Sequence, residues 1–329
     1  MLEYILSNPW LLSLMLIVGL VLLVKGADWL VDGASAVAKR FGISDLIIGL
    51  TIVAFGTSMP EFVVNMVSVA DGVTDLALTN ILGSNIINTF VILGLTALVY
   101  PVVSQKRSRD FDIPLSIIAG VMVFACVAVQ SPFGEEVQGI TRIGGIILLI
   151  FFCYFLYNTF RHAKDHPDEL PAETYQPMPV AKAVLWIVLG LAGLIIGGEM
   201  IVKSAVQIAT DLGVSDAIIG LTIVALGTSL PELATSVIAA AKHNSDIALG
   251  NVIGSNIFNV YFILGTSAVI QPLPAYNGII LDAWMAALGG ILVWLFVKAN
   301  HERKIQRWAG ALLLIVYAAY LALRLSQAC

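Results

Sequence analysis

Two glutamates, Glu61 and Glu232, lie within apolar stretches of the chain, and each follows a Gly-Thr-Ser segment and a proline. A charged residue at the centre of a bilayer costs roughly 2.5 to over 10 kcal/mol, so it persists where an ion, a partner or a water-filled path offsets that cost. No Lys or Arg occupies the middle of the matching stretches, which makes a salt bridge a weak explanation. A cation site built from two carboxylates is the better interpretation.

The residues before each glutamate predict an interrupted helix. Pro60 cannot donate a hydrogen bond to the carbonyl of Gly56, and Pro231 stands in the same relation to Gly227. Carbonyl groups freed in this way are tolerated at membrane depth only where they are buried in protein or line a cavity. A proline kink whose hydroxyls bond their own helix explains one copy, but not two matched copies that each end in a glutamate. The hydroxyl groups beside the glutamates belong to Thr57, Ser58, Thr228 and Ser229.

A second motif, Gly-Ser-Asn-Ile-x-Asn, adds oxygen donors in each half of the chain. Ser84 and Asn88 are four residues apart, and Ser255 and Asn259 repeat that spacing, so each pair shares one face of a helix. For four other asparagines, a polar seam between helices is as good an interpretation as ligation: Asn80, Asn85, Asn251 and Asn256.

The two motifs together offer carboxylate, hydroxyl, amide and carbonyl oxygens, with no thiolate or imidazole. Such a donor set suits a hard cation, namely calcium, magnesium or sodium, rather than zinc or copper. Two carboxylates neutralise one divalent ion, or they hold several monovalent ions in adjacent sub-sites. Competition for shared oxygens would make the protein an exchanger rather than a uniporter.

The composition requires a membrane around these residues. Of the 329 residues, 59% are hydrophobic and 12% are charged, whereas a soluble domain has about 25% charged residues. Several apolar stretches approach or reach the roughly 17–25 residues that span a bilayer. This excludes soluble enzymes and nucleic-acid binders. The chain has no HExxH and no P-loop motif, so we expect no enzymatic activity and no cofactor, and a gradient must drive any transport.

An internal duplication organises the chain. Residues 26–101 align without a gap with 197–272, and 35 of the 76 positions are identical. We predict an all-α polytopic membrane protein with ten transmembrane helices, arranged as two inverted five-helix repeats. The repeats are predicted at 1–160 and 181–329, with a short cytoplasmic linker at 161–180. The expected spans are 9–25, 45–70, 77–99, 113–130, 140–160, 181–202, 216–241, 248–270, 278–298 and 308–325.

Basic residues predict the orientation of these spans. If the N-terminus is outside, 14 of the 17 Lys and Arg residues fall in inner connections, and only Arg142, Lys203 and Arg324 fall outside. We therefore expect a multi-pass protein of the cell membrane with both termini non-cytoplasmic. No obligatory protein partner is inferred beyond the lipid bilayer.

The paired motifs, GLTIVAFGTSMPE with NILGSNIIN and GLTIVALGTSLPE with NVIGSNIFN, resemble the two alpha-repeats of the calcium/cation antiporter superfamily. The resemblance is closest to its prokaryotic sodium/calcium exchangers and covers most of the chain. It implies that Glu61 and Glu232 are shared calcium and sodium ligands, and that the first and sixth helices slide across the core. It further implies roles for the hydroxyls of Thr57, Ser58, Thr228 and Ser229, the carbonyls of Ala54 and Ala225, and the side chains of Ser84, Ser255, Asn88 and Asn259.

The motifs also help to choose a branch of that superfamily. Proton-coupled exchangers resemble Gly-Asn-x-x-Glu at the first motif, whereas this chain has Gly-Thr-Ser-x-Pro-Glu. Potassium-dependent exchangers, and some prokaryotic relatives, carry an aspartate where this chain has Asn259. We expect an antiporter that exchanges calcium for sodium by alternating access, with inorganic cations as its substrates. A proton-coupled or potassium-dependent exchanger is the nearest alternative, and a cation channel is an alternative of another class.

Other acidic residues have weaker claims to function. Asp28 and Glu199 occupy matched positions and are expected at solvated helix ends, with Glu199 paired to Lys203 four residues on. Asp75 and Asp246 also match, and they are expected in the first turns of helices. Asp282 has no counterpart in the other half and is expected at the membrane interface.

Overall fold

The computed structural model describes residues 8–128, 139–165, 178–212, 225–276, 278–299 and 301–328. Eleven helices of this part of the chain organise the fold, together with a helical turn at Ala225–Gly227. We number them α1 Pro9–Phe41, α2 Asp45–Thr57, α3 Met59–Ala70, α4 Thr74–Val99, α5 Ser108–Val127, α6 Arg142–Asp165, α7 Val180–Asp211, α8 Leu230–Ala241, α9 Ser245–Ile270, α10 Ile279–Ala299 and α11 Arg307–Ala328.

Two short antiparallel strand pairs join the connections between helices. Strand β1 Val102–Val103 pairs with β4 Lys304–Ile305, with Val102 opposite Ile305. Strand β2 Gly139–Ile140 pairs with β3 Leu273–Pro274, with Ile140 opposite Leu273. Both pairs therefore tie a loop of the first half to a loop of the second.

Eight helices in the described ranges are long and apolar enough to cross a membrane, or nine if α2 and α3 form one span bent by 46°. The expectation of an all-α, multi-pass membrane protein is confirmed. The count of ten spans stays a prediction. The expected span at 216–241 is represented by α8, and residues 213–224 lie outside the described ranges.

The helices α1 and α7 are longer than the spans expected from their apolar stretches. α1 begins at Pro9, where the Asn8 side chain accepts the N–H groups of Trp10 and Leu11, and it continues to Phe41 before the left-handed Gly42. The expected span ended at residue 25, because charged residues follow it. Those charges are accommodated within the helix, since Asp28 and Asp32 form ion pairs with Lys242.

α1 and α7 pack against each other in antiparallel directions through glycines. A Cβ atom at Gly19 would lie 3.0 Å from the carbonyl oxygen of Gly197, and one at Gly26 would lie 2.8 Å from that of Gly190. A Cβ atom at Gly33 would likewise meet the Ala183 carbonyl at 2.8 Å. The backbones approach this closely only because these positions lack side chains.

The centre of the fold is formed by α4 and α9, which are the most enclosed of the long apolar helices. Each contains a π-helical segment at a matched position, Ile87–Ile92 in α4 and Phe258–Leu264 in α9. Such segments are frequent at functional sites because they widen the helix and redirect its side chains. Asn88 and Asn259 lie in the first turns of these segments.

Candidate cation site

The bend between α2 and α3 places Glu61 at the start of a helix. Ser58 separates the two helices with φ −83° and ψ 8°, and Glu61 lies in the first turn of α3. Ser229 has nearly the same backbone geometry, φ −89° and ψ 6°, and Glu232 lies in the first turn of α8. The positive end of each helix dipole therefore faces a carboxylate.

Glu61 is fully buried and receives hydrogen bonds from both halves of the chain. Its Oε1 atom accepts from the Ser84 hydroxyl at 3.4 Å and from the Ser229 hydroxyl at 3.3 Å. Ser84 belongs to the second motif of the same repeat, whereas Ser229 belongs to the first motif of the other repeat. The contact with Ser229 brings the two helix interruptions face to face.

Glu232 has the corresponding pair of contacts. Its Oε1 atom accepts from the Ser255 hydroxyl at 3.4 Å and from the Ser58 hydroxyl at 2.8 Å. The two glutamates are therefore linked crosswise, each to the serine that precedes the other. A common site that draws on both repeats follows from this arrangement.

Several oxygens of this site accept or share no hydrogen bond within the described ranges. Buried polar atoms normally have a partner, so these unpartnered oxygens are candidates to bind a ligand. These buried atoms are Glu61 Oε2, Glu232 Oε2, Thr228 Oγ1, Asn88 Oδ1 and Asn259 Oδ1. They are carboxylate, hydroxyl and amide oxygens, which are the donors that hard cations prefer.

In the described part of the chain, the two carboxylates also have no ion-pair partner. Among the residues that the structure describes, no Lys, Arg or His forms an ion pair with Glu61 or Glu232. Both side chains have no exposed surface. Burying an unpaired charge costs far more than one hydrogen bond returns, so each of these carboxyl groups needs either a bound cation or a proton to offset that cost.

The asparagines of the second motif form a seam between α4 and α9. Asn88 Nδ2 donates to Asn256 Oδ1 at 3.2 Å, and Asn259 Nδ2 donates to Asn85 Oδ1 at 3.0 Å. Asn85 also donates to the Asn256 carbonyl at 3.2 Å. Asn85 and Asn256 thus connect helices, and they orient the amides of Asn88 and Asn259.

Asn80 and Asn251 support the helices behind the glutamates. Asn80 Nδ2 donates to Asn65 Oδ1 at 2.9 Å, and Asn251 Nδ2 donates to the Ser236 hydroxyl at 2.9 Å. Sequence reasoning missed Asn65 and Ser236. They occupy matched positions four residues after each glutamate, so the duplication itself carried the signal.

The Ala54 carbonyl, which the family resemblance implies as a ligand, accepts hydrogen bonds within its own turn. The Ala54 carbonyl accepts the Ser58 N–H at 3.0 Å and the Thr57 hydroxyl at 3.3 Å, because the turn closes before the bend. Asn251 Oδ1 lies 3.0 Å from the same hydroxyl, so the two acceptors share its single proton. Ala225 begins the helical turn Ala225–Gly227 in the second half.

Two acidic residues lie in different surroundings from those expected. Asp28 is not at a solvated helix end. It lies in the middle of α1, and its carboxylate is 2.6 Å from the Nζ atom of Lys242. Asp282 lies in the first turn of α10, where it is buried and accepts from the Tyr276 and Tyr320 hydroxyls at 2.6 and 2.8 Å. Arg324 lies 3.3 Å from the same carboxylate, so a charged partner makes burial tolerable.

Asp75 and Asp246 lie as expected and Glu199 forms the expected ion pair, but Glu199 lies in the interior of α7 rather than at a helix end. Glu199 pairs with Lys203 at 2.6 Å along one face of α7. Asp75 and Asp246 lie in the first turns of α4 and α9, and Asp246 also accepts a hydrogen bond from Gln105 at 2.6 Å.

The chain is similar in sequence and fold to known proteins. The sequence matches the sodium/calcium exchanger protein family over residues 11–161 and 182–326. The chain belongs to the sodium/calcium exchanger family. It is 40% identical to CaxA of Alkalimonas amylolytica over 313 residues, covering 94% of this chain and 97% of that protein. It is 30% identical to the sodium/calcium exchanger MaX1 of Methanosarcina acetivorans over 340 residues, covering 94% and 97%.

A solved structure of the sodium-calcium exchanger NCX_Mj, soaked with sodium and calcium, has the same fold. It superposes with a TM-score of 0.79 at 32% identity, over 95% of this chain and 98% of NCX_Mj. The resemblance to the calcium/cation antiporter superfamily is therefore confirmed. Membership of this exchanger family makes the chain a multi-pass transporter whose family substrates are inorganic cations.

Proposed function

We propose that this protein is an antiporter that exchanges calcium for sodium, at one site formed by Glu61 and Glu232. The observation that carries the proposal is the crosswise link of two fully buried carboxylates through Ser58 and Ser229, with no cationic side chain beside them in the described ranges. One calcium ion neutralises both carboxylates. Sodium ions neutralise the same carboxylates in adjacent sub-sites, so the two substrates compete.

The remaining ligands in this proposal are the oxygens that surround the glutamates. Asn88 and Asn259 contribute unpartnered amide oxygens, and Thr228 contributes a hydroxyl. The proposed ligand set is completed by Thr57, Ser58, Ser229, Ser84 and Ser255, and by the carbonyls of Ala54 and Ala225. The Thr57 hydroxyl donates to the Ala54 carbonyl, which leaves lone pairs on both oxygens for an ion.

The crosswise contacts support alternating access. Because each glutamate contacts both repeats, a shift of α1 and α7 opens the same site to one side or the other without building a second site. The names of MaX1 and NCX_Mj favour sodium and calcium as the ions. We place the protein in the cell membrane with both termini non-cytoplasmic, on the distribution of Lys and Arg.

Radiolabelled calcium uptake into proteoliposomes tests the proposal. Liposomes loaded with sodium are diluted into potassium, choline or sodium buffer, with and without an imposed pH gradient. We expect uptake only when the internal sodium concentration exceeds the external one. Uptake driven by a pH gradient without sodium would show that protons are the coupling ion. A requirement for potassium would show that potassium takes part in the exchange.

A channel is distinguished in the same experiment. A channel would pass calcium down its own gradient with equal sodium on both sides, and its flux would not saturate at low millimolar calcium.

Glu302→Gln is the control for the same substitution at Glu61 or Glu232. Glu302 lies outside the described helices and is an exposed residue that pairs with Lys304 at 3.3 Å. It should exchange as the parent protein does.

A further inference from the structure

Lys242 connects the end of α8 to the middle of α1. Its Nζ atom lies 2.6 Å from an oxygen of Asp28 and 2.6 Å from an oxygen of Asp32, and it also donates to the Asp28 carbonyl at 3.2 Å. Burial lowers the pKa of Lys242, but the hydrogen bonds and charges of Asp28 and Asp32 outweigh it and raise the pKa above its usual value. The ammonium group therefore stays charged, and it holds α1 against the helix that begins with Glu232.

The duplication places a second set of charges at the opposite end of the molecule. The offset of 171 residues carries Lys242 onto Asp71, Asp28 onto Glu199 and Asp32 onto Lys203. Two of the three signs are inverted, since the acid Asp71 stands at the turn of the first half and the base Lys203 on α7 of the second half, whereas Glu199 keeps the negative charge of Asp28. Asp71 and Lys203 are thus the counterparts of Lys242 and Asp32.

The backbone of the two turns is the same. Asp71 has φ −84° and ψ −1°, and Lys242 has φ −84° and ψ 7°. Each is followed by a residue in the left-handed region, Gly72 at φ 75° and His243 at φ 62°. Asp71 is therefore presented from its helix in the geometry that Lys242 uses.

The two ends nevertheless differ in packing. α8 packs along α1, whereas the corresponding helices α3 and α7 have no comparable contact within the described ranges. Asp71 is exposed and forms no ion pair with any described residue, and Lys203 pairs with Glu199 of its own helix instead. Among the described residues, the first set of charges is therefore paired between α1 and the end of α8, whereas Asp71 and Lys203 are not paired with each other.

We propose that Lys242 with Asp28 and Asp32, and Asp71 with Lys203, are two ion-pair latches that close in alternation. In the state described here the first latch is closed and holds α1 to α8. When α1 and α7 shift, the first latch opens, and Asp71 takes Lys203 from Glu199 to close the opposite end. This inference rests on the alternating access of the proposed function.

The expected size of the effect follows from the exposure of these groups. Side chains of Lys242, Asp28 and Asp32 are a quarter to a third exposed, so each pair is weak. Loss of one latch should change the ratio of the two states by roughly three- to tenfold. Such latches bias the exchange between states without preventing it.

Cysteine labelling measures that ratio. Ser35 is 1% exposed on α1, and its hydroxyl accepts from Asn244 beside Lys242 at 3.3 Å. Ser35→Cys is introduced into a protein whose own cysteines, Cys126, Cys153 and Cys329, are replaced by serine. A charged maleimide then labels the introduced thiol only when this end opens, so the labelling rate reports the open fraction.

The latches predict opposite effects at this one position. Lys242→Gln and Asp32→Asn should each raise the labelling rate by roughly three- to tenfold. Asp71→Asn and Lys203→Gln should lower it, although they lie at the other end, because they destabilise the alternative state. The exchanged pair Lys242→Asp with Asp32→Lys should restore a rate near that of the parent.

Loss of packing at Lys242 alone would raise labelling in the first two variants and leave the last two unchanged, which would overturn the proposal. Equal labelling in all variants would also overturn it. Calcium uptake by the cysteine-free parent is measured in the same proteoliposomes. Opposite labelling shifts without sodium-coupled uptake would retain the latches and reject the proposed exchange, whereas coupled uptake without the shifts would reject the latches alone.

Discussion

At the centre of the molecule the two repeats carry the same residues, whereas at its two ends they carry different ones. Glu61 and Glu232 follow the same Gly-Thr-Ser-x-Pro segment, and each contacts the serine that precedes the other. At the ends, the matched turn residues are Asp71 and Lys242, which have opposite charge. Identity at the centre is what one ion site shared by both repeats requires. Difference at the ends allows the two sides of the molecule to be controlled separately.

The largest effect is expected from removing either central charge. Glu61→Gln and Glu232→Gln should each reduce sodium-coupled calcium uptake by at least about a hundredfold, because each leaves one carboxylate to balance a divalent ion. Both variants should remain folded, since glutamine keeps the hydrogen bond from Ser229 or Ser58. Uptake and elution from a sizing column are measured side by side. Robust exchange by either variant would remove that glutamate from the site and end the equivalence of the two repeats.

A smaller effect is expected at the paired asparagines. Asn88→Ala and Asn259→Ala each remove an unpartnered oxygen and an amide that donates across the seam, at 3.2 and 3.0 Å. We expect the calcium concentration for half-maximal uptake to rise by roughly tenfold in both, since each variant loses a neutral ligand rather than a charge. Thr79→Ala is a suitable control, because the Thr79 hydroxyl donates to the Asp75 carbonyl of its own helix. A change in one asparagine variant alone would show that the site is used unequally.

Sequence reasoning reached the centre of the molecule more reliably than its ends. The duplication, the two prolines and the isolated carboxylates could be interpreted without coordinates, because each is a local feature with a large energetic consequence. The ion pairs of Asp28 and Asp282 could not, because Lys242 and Arg324 lie 214 and 42 residues away. Which side chains meet across such separations is decided by how helices pack.

The hydrogen bonds of the Ala54 carbonyl could not be predicted for a related reason. A proline identifies the carbonyl that loses its partner, but the turn at which the chain bends depends on the packing around it. Here the Ser58 N–H and the Thr57 hydroxyl both close onto Ala54 before the bend. Asn65 and Ser236 were overlooked because their residue types differ, although their positions match.

The two serines that cross between repeats offer a finer test of equivalence. Ser58 donates to Glu232 at 2.8 Å, whereas Ser229 donates to Glu61 at 3.3 Å. The shorter bond to a carboxylate is the stronger, so Ser58→Ala should weaken calcium uptake more than Ser229→Ala does, by about threefold. The calcium concentrations that give half-maximal uptake are compared in proteoliposomes of the two variants prepared in the same way. Equal values would mean that ion binding equalises the two contacts, and a larger effect of Ser229→Ala would contradict the order of the distances.

The smallest effect on transport, and a clear one on stability, is expected where α1 meets α7. Gly190→Ala would bring a methyl group within 2.7 Å of the Leu30 nitrogen and 2.8 Å of the Gly26 carbonyl oxygen. These are backbone atoms, which cannot relieve the clash by a change of rotamer. Such overpacking costs about 1–3 kcal/mol, so the midpoint of thermal unfolding should fall.

Gly198→Ala is the matched control for that variant. It lies on the same helix, but its methyl group would meet nothing closer than Leu230 Cβ at 3.9 Å. Alanine favours a helix over glycine by about 1 kcal/mol, so this variant should be as stable as the parent or slightly more stable. The unfolding midpoints of both variants are measured in one detergent. If the two unfolding midpoints fall equally, the glycines are needed for helix flexibility rather than for the close approach of α1 and α7.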